Sequence, residues 1–289
     1  IMFLKLSRVG LFAILLSVVM LNGAEATERG TLFLAHGSMN GCGIESPSQW
    51  EKYVAETVDE LKAETDENIE VAFGMWNSRC FQAGIDRLHK KSAKGKIDEL
   101  RVIPIFISSF SAVIEMQKYI FKQRDDKVIP IEMVEPIEFE GKIDYQTAID
   151  YSPLVSLVLS NRAHELVHEA KHRGFDHDKQ ELILVMHGPV GESDNEKWLA
   201  MGRSYLEDVS YMFPFQRTSV VSLRDDAEDE VRNRATRELQ QLVEASTANG
   251  RIALILPLLV SKGGIEKGIL ERLGRRDYVW TGDTLLPDP

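Results

Sequence analysis

The chain has 289 residues, 44% of them hydrophobic and 27% charged, with a formal net charge of −11. That balance excludes a disordered or fibrous chain and leaves room for two ordinary domains. The acidity argues against a nucleic-acid partner, because no basic run is long enough to offset it.

The first 26 residues read as a secretory signal peptide. Lys5 and Arg8 form a basic start, Val9 to Leu21 is an almost unbroken apolar run, and Ala24-Glu25-Ala26 supplies small residues at alternate positions. The run is short for a membrane span, so cleavage after Ala26 is expected, with no stable span left behind. The mature chain would carry 32 basic and 44 acidic residues, a net −12, and would be exported to the periplasm or beyond. Cys42 and Cys80 are its only cysteines. In an oxidising compartment the two can pair as a disulfide; two free thiols near a metal fit the same residues.

Leu32–Ala35 is an apolar run that breaks at His36-Gly37-Ser38, the pattern of a buried strand ending in a tight turn. His36 would then sit at the carboxyl end of the strand, the edge at which open α/β sheets bind ligands. A helix is expected from Pro47 to about Glu64, a strand over Ile69–Phe73 and a helix over Cys80–Lys91. The continuous apolar run Leu100–Ile107 suits a strand covered on both faces. Ala112–Phe121 reads as a helix, Val128–Val134 as a fourth strand, and Tyr151 to His172 as a long helix.

The second half repeats this order. Leu182–Met186 is expected as a strand, Asn195–Met212 as a helix, Ser219–Leu223 as a strand and Ala227–Ala245 as a helix. Ile252–Val260 is the counterpart of Leu100–Ile107. Ile183–Pro189 reads ILVMHGP and sets His187 in the place of His36. His36 lies 68 residues before Pro104, and His187 lies 70 before Pro257. Spacing this close indicates an internal duplication. The expected fold is therefore α/β, two similar lobes, each a parallel sheet flanked by helices. The expected domains are residues 27–150 and 179–289, joined by a helix in 151–178. The protein would then be a monomer that forms an internal pseudo-dimer.

LFLAHGS at the first strand, RVIPIFISSFS at the third, IDYSPLV at Ile149–Val155, the second MHGP and the closing LPLLVSKGGIE together resemble the sirohydrochlorin cobaltochelatase family, in its long, two-domain CbiX-like form. The resemblance spans almost all of residues 31–289. It implies a class II chelatase fold, with a tetrapyrrole held in a cleft between the lobes. The reaction it implies inserts a divalent metal, Co²⁺ or Fe²⁺, which is a substrate and not a resident cofactor. No nucleotide is implied, and no GxxxxGK(S/T) phosphate loop is present.

The family's second histidine, after the third strand, is Phe110 here, and the histidine common near Asp150–Pro153 is Ser152. Chelation needs a metal ligand and a base for two pyrrole N–H protons. His36 is the first candidate for both roles. His187 is a second ligand from the other lobe, and Glu115, one helical turn past Phe110, is the nearest acidic base. Phe110 could stack on a flat macrocycle, with Ser109 beside it. Arg79, Lys118, Arg224 and Lys262 follow strands or motif loops and could hold its carboxylates. A non-catalytic tetrapyrrole or metal carrier on the same fold is the alternative.

A separate motif lies in the long helix. His164-Glu165-Leu166-Val167-His168 matches HExxH, the zinc-protease helix, and His172 and His177 extend the stripe. A metal-binding stripe and a plain polar helix face compete with that reading. The hydrolase reading of the HG pair fails, because no GxSxG elbow is present.

Overall fold

The structure, a computed structural model, describes residues 28–37, 42, 48–131 and 134–286. The expected signal segment and Ser38 of the HGS turn lie outside the described residues. The described residues form two compact units, 28–150 and 151–286.

The N-terminal unit runs β1 (Arg29–Ala35), α1 (Gln49–Glu64), β2 (Ile69–Phe73), α2 (Ser78–Lys91), β3 (Glu99–Ile105), α3 (Ala112–Ile120) and β4 (Lys142–Tyr145). Its strands pair in parallel in the order β2-β1-β3-β4. The two central strands carry the apolar runs. Leu32, Phe33, Leu34, Leu100 and Val102 are wholly buried, as a parallel sheet covered on both faces requires. The helices begin where polar caps allow. The Ser48 N–H donates to Glu51 Oε2 at 2.6 Å ahead of α1. Asn77 Oδ1 accepts from Arg79 N and Cys80 N at the start of α2. Ser111 Oγ accepts from Ile114 N at the start of α3.

No described residue of Val128–Val134 is in a strand, and the fourth strand lies further on. Pro130 lies inside that stretch and Pro136 two residues beyond it, and a proline has no N–H to give a ladder. Ile129, Ile131, Val134, Ile137 and Phe139 instead pack onto the core as an irregular strap. The Ile137 N–H fastens the strap to Ile120 O at 3.0 Å. The edge strand follows it, at Lys142–Tyr145.

The C-terminal unit runs α4 (Pro153–His172), β5 (Gln180–Met186), α5 (Glu192–Met212), β6 (Arg217–Ser222), α6 (Asp229–Ala248), β7 (Ile252–Leu258), α7 (Gly264–Leu273) and β8 (Tyr278–Val279). The helix expected as a linker, α4, packs on β7 and α5 of this unit. The sheet order β6-β5-β7-β8, again all parallel, reproduces the first sheet strand for strand.

The correspondence extends to single residues. Pro104 sits opposite Leu34, two residues before His36, and Pro257 sits opposite Val185, two residues before His187. Gly74 N donates to Ala35 O at 2.9 Å, and Leu223 N donates to Met186 O at 2.9 Å. After the third strand of each unit a returning segment closes the edge. Ile149 N and Asp150 N reach Phe106 O and Ile107 O, as Leu285 N and Leu286 N reach Leu259 O and Val260 O. Those closing pairs are 43 residues apart in the first unit and 26 in the second, and the excess is the strap. The fold is α/β in two similar lobes.

Candidate functional site

The carboxyl edge of the N-terminal sheet is built around His36, the first residue beyond β1. Its side chain is exposed and the next residue, Gly37, is buried. A Cβ on Gly37 would lie 2.5 Å from Gly74 N and 2.6 Å from Phe73 C, so only glycine lets the chain pass the end of β2. This close approach fixes the direction in which the His36 ring leaves the strand. The ring meets Trp50 of α1 edge to face at 5.6 Å, and Trp50 meets Phe73 at 5.9 Å. A disulfide joins Cys42 to Cys80 with Cα atoms 5.1 Å apart. It ties Cys42, six residues after His36, to the first turn of α2, where Cys80 is 1% exposed. The disulfide settles the choice left open by the sequence, and among the described residues no cysteine is free.

The loop after β3, next to β1 in the sheet, supplies the rest of this edge. Asp150 receives Ser109 N at 2.7 Å on one oxygen and Ser109 Oγ at 2.6 Å on the other. The same hydroxyl accepts from Ala148 N at 2.9 Å. Asp150 has φ of +46°, a region that aspartate tolerates better than most residues. Phe110 follows Ser109 on this loop, with its N–H donating to buried Ser108 Oγ and 40% of its surface exposed. An exposed imidazole and an exposed phenyl ring thus leave the same edge from adjacent central strands.

The charged candidates are differently placed. Glu115 gives one oxygen to Lys118 Nζ at 2.7 Å and the other to Arg124 Nη1 at 2.5 Å. Both oxygens hold cations, which leaves Lys118 turned towards its own helix. Arg79 is exposed in the first turn of α2. Below α3, buried Gln117 links Tyr145 Oη to Met75 O. Burial, with Glu115 second, pushes the Tyr145 phenol above its ordinary value, so it remains a hydroxyl donor.

The equivalent edge of the C-terminal unit has been closed. His187 is half-buried, with Nε2 3.5 Å from Asp226 Oδ2. Gly188 has φ of +77° and lies where a Cβ would collide with the Ser222 hydroxyl. Arg224 is 5% exposed and adopts φ of +58°. Its N–H donates to His187 O at 2.7 Å, and its guanidinium binds Glu192 Oε2 at 2.7 Å and Val190 O at 2.5 Å. The Glu192 carboxyl is held below its ordinary range by that arginine. Lys262 stands at the register position of Ser109 and lies 3.5 Å from Asp283 Oδ1.

His164, Glu165 and His168 line an open groove of about 780 Å³ between α4 and the β8 region, faced by Trp280. The His164 ring also lies 6.0 Å from Phe213. Among the described residues no three of His, Cys, Asp or Glu converge as a metal-ligand set. Also among the described residues, no helix is long and apolar enough to cross a membrane.

The chain is similar to DR2241 from Deinococcus radiodurans, described as a multi-domain protein with structural similarity to chelatases and two additional novel domains. The similarity has a TM-score of 0.47 at 15% identity and covers 86% of this chain but 47% of that one, so this chain spans about half its length. No protein-family model matches the sequence, and no curated protein does.

The structure brings His36, Ser109 and Phe110 to one sheet edge, and it buries or pairs Glu115, Lys118 and Arg224. Sequence reasoning passed over Trp50 and Asp150. Asp150 lies within the quoted IDYSPLV segment, and its short carboxylate ahead of a serine-proline pair is a turn signal that could have exposed it.

Proposed function

We propose that the chain brings a divalent metal ion and a tetrapyrrole together at the carboxyl edge of its N-terminal sheet, as a chelatase. The carrying observation is the duplicated frame: His36 and His187 stand one residue past equivalent strands, with equivalent prolines opposite. The exposed imidazole of His36 is the one of the pair suited to hold an incoming ion. Phe110, exposed on the adjoining loop, offers a face for a flat ring. Insertion replaces two pyrrole N–H protons by M²⁺, and both protons must leave. Once the ion has passed to the ring, the nitrogen of His36 that held it is free to accept one of them, and water can take the other. Co²⁺ or Fe²⁺ is the ion and sirohydrochlorin or a relative the ring, in keeping with the motifs of the sequence. The Cys42–Cys80 disulfide and the signal-like first 26 residues support export.

A carrier on the same fold is the second reading. It is favoured by Glu115, whose oxygens are both taken by cations, and by Phe110 standing where the family resemblance places a second histidine. Metal insertion into sirohydrochlorin, followed by absorbance on protein lacking residues 1–26, separates the two. Turnover supports the chelatase. Binding of ring and metal without insertion, with activity gained in Phe110→His, establishes the carrier.

A further inference from the structure

We propose that His168 and His172 form a two-histidine chelate for a divalent transition-metal ion on the last two turns of α4. Residues four apart on a helix stand one above the other, and both of these side chains are exposed. Their Nε2 atoms are 3.3 Å apart, with ring centroids at 4.4 Å and planes inclined by 75°. Two imidazole nitrogens on one tetrahedral ion, with bonds of about 2.0–2.1 Å, are separated by about 3.4 Å. The rings therefore already stand at the bite of such a chelate. The competing explanation is one N–H···N hydrogen bond between the rings. In water such a bond contributes little, since each exposed nitrogen can be solvated instead.

The surroundings favour a cation. The pair lies at the carboxyl end of a 20-residue helix, where the backbone carbonyls carry partial negative charge. Glu165 and Glu169 line the groove beside His168. The nearby Arg173 is engaged by Asp277 and by Tyr278 O. Lys171 is the remaining cation of this turn, and it is exposed and screened by water. With two protein ligands, the other coordination positions remain open to water and to the groove faced by Trp280. The site is thus an exchangeable one for Cu²⁺, Ni²⁺, Zn²⁺ or Co²⁺, ordered by the usual affinity series, and not for Mg²⁺ or Ca²⁺. It differs from the HExxH reading in its residues: His172 replaces His164 as the partner of His168. It lies within the C-terminal unit and does not depend on the proposed reaction at His36.

Calorimetric titration with Zn²⁺ and Ni²⁺ tests it, using the wild-type chain, His168→Ala, His172→Ala, His164→Ala and His36→Ala. The expected result is one equivalent whose affinity falls by about tenfold or more in each of the first two variants. The same equivalent stays within about threefold in His164→Ala and His36→Ala. Because the two rings are exposed, an unchanged circular dichroism spectrum is expected for both. The Co²⁺ adduct provides a second readout, through the intense visible bands of a tetrahedral ion. A smaller loss in either variant overturns the chelate, as does loss of the equivalent in His164→Ala. Failure of insertion with this equivalent intact would count against the proposed function alone.

Discussion

The two lobes share a frame and differ at the edge that the frame presents. In each, a histidine follows the first strand by one residue, a glycine follows the histidine, and a proline stands opposite in the third strand. In the N-terminal lobe His36 is exposed and meets Trp50 edge to face. In the C-terminal lobe the histidine is half-buried with Asp226 Oδ2 3.5 Å from its Nε2, and Arg224 binds Glu192 and Val190 O. Duplication preserved what the strands need and released what the loops carry. The opposite edges of the two sheets show the converse. There each lobe has a buried carboxylate among cations, on different strands: Glu99 of β3 with Arg29 and Lys142, and Glu181 of β5 with Arg251 and Arg217 and a hydrogen bond from the Ser246 hydroxyl. Both carboxyls are held below the ordinary range. For Glu99 the hydrogen bonds from Lys142 and Arg29 dominate; for Glu181 burial raises the value and its partners outweigh it.

The largest expected effect comes from the disulfide, which only the N-terminal edge has. Cys42 and Cys80 close a loop with a sequence separation of 38, for which the chain-entropy argument gives about 4 kcal/mol. Cys42→Ala with Cys80→Ala should lower stability to urea by about that amount, measured by circular dichroism. It should also loosen the His36 loop. A change under about 1 kcal/mol would mean that the N-terminal edge is held by its other contacts.

The next effect tests the asymmetry in function. His36→Ala should cut metal insertion by about 10² or more, the usual cost of losing a general base or metal-binding group. His187→Ala should change it by less than about fivefold, because Asp226 already engages that ring. Equal losses would show that both edges act, and the accessible–closed distinction would fail.

How much of this asymmetry was legible beforehand depends on the range of the interaction. Strand limits depend on local runs: Ile69–Phe73 and the start at Ile252 agree with the structure residue for residue. The duplication was visible for the same reason, since it repeats short motifs. The fourth strand was misplaced because Val128–Val134 has the right composition for a strand, while Pro130 within it, Pro136 just after it, and a core surface waiting to be covered, make it a strap. Glu115 looked like a base because Arg124, nine residues away, reaches it only after α3 turns into the strap. Arg224 looked like an anion site because nothing in its neighbours announces a positive φ. The stripe on α4 was readable as a stripe, but the choice of His168 and His172 within it rests on rotamers. The disulfide remained undecided because pairing needs a distance.

A third comparison concerns the tethers of the two edges. Asp150 holds the Ser109 loop through two hydrogen bonds, and Arg224 holds the His187 loop through Glu192 and a carbonyl. Asp150→Ala and Arg224→Ala should each cost about 1.5–3 kcal/mol, as hydrogen bonds to charged groups do. Only Asp150→Ala should also weaken ring binding, through Phe110, in a fluorescence titration with sirohydrochlorin. If Arg224→Ala weakened it equally, the guanidinium would be a ligand contact and not a strut.

The smallest expected effect is in the acid stability of the N-terminal lobe. Glu70 lies on β2 and is 5% exposed, bridging Arg87 at 2.8 Å and Lys91. Burial pushes its carboxyl up, but the hydrogen bonds from Arg87 and Lys91 outweigh that and leave it below the ordinary range. A folded value below the unfolded one means that the unfolded chain binds the proton more readily. The stabilisation is therefore present above the unfolded value of about 4.3 and is lost as pH falls through the folded one. Half-buried Glu67, raised mainly by desolvation, has the opposite sign and recovers part of the loss on acidification. Because Lys91 is exposed and the pair is solvent-screened, Glu70→Gln should cost only about 1 kcal/mol at pH 7. Denaturation series from pH 7 to 3 should show that cost shrinking towards zero below about pH 4, with the slope of stability against pH reduced by at most about one proton. Arg87 keeps Ala83 O and Val71 O in the variant, so the strand should remain in place. A cost independent of pH would assign Glu70 a packing role. The charge argument would then apply to Glu99 on β3 and Glu181 on β5.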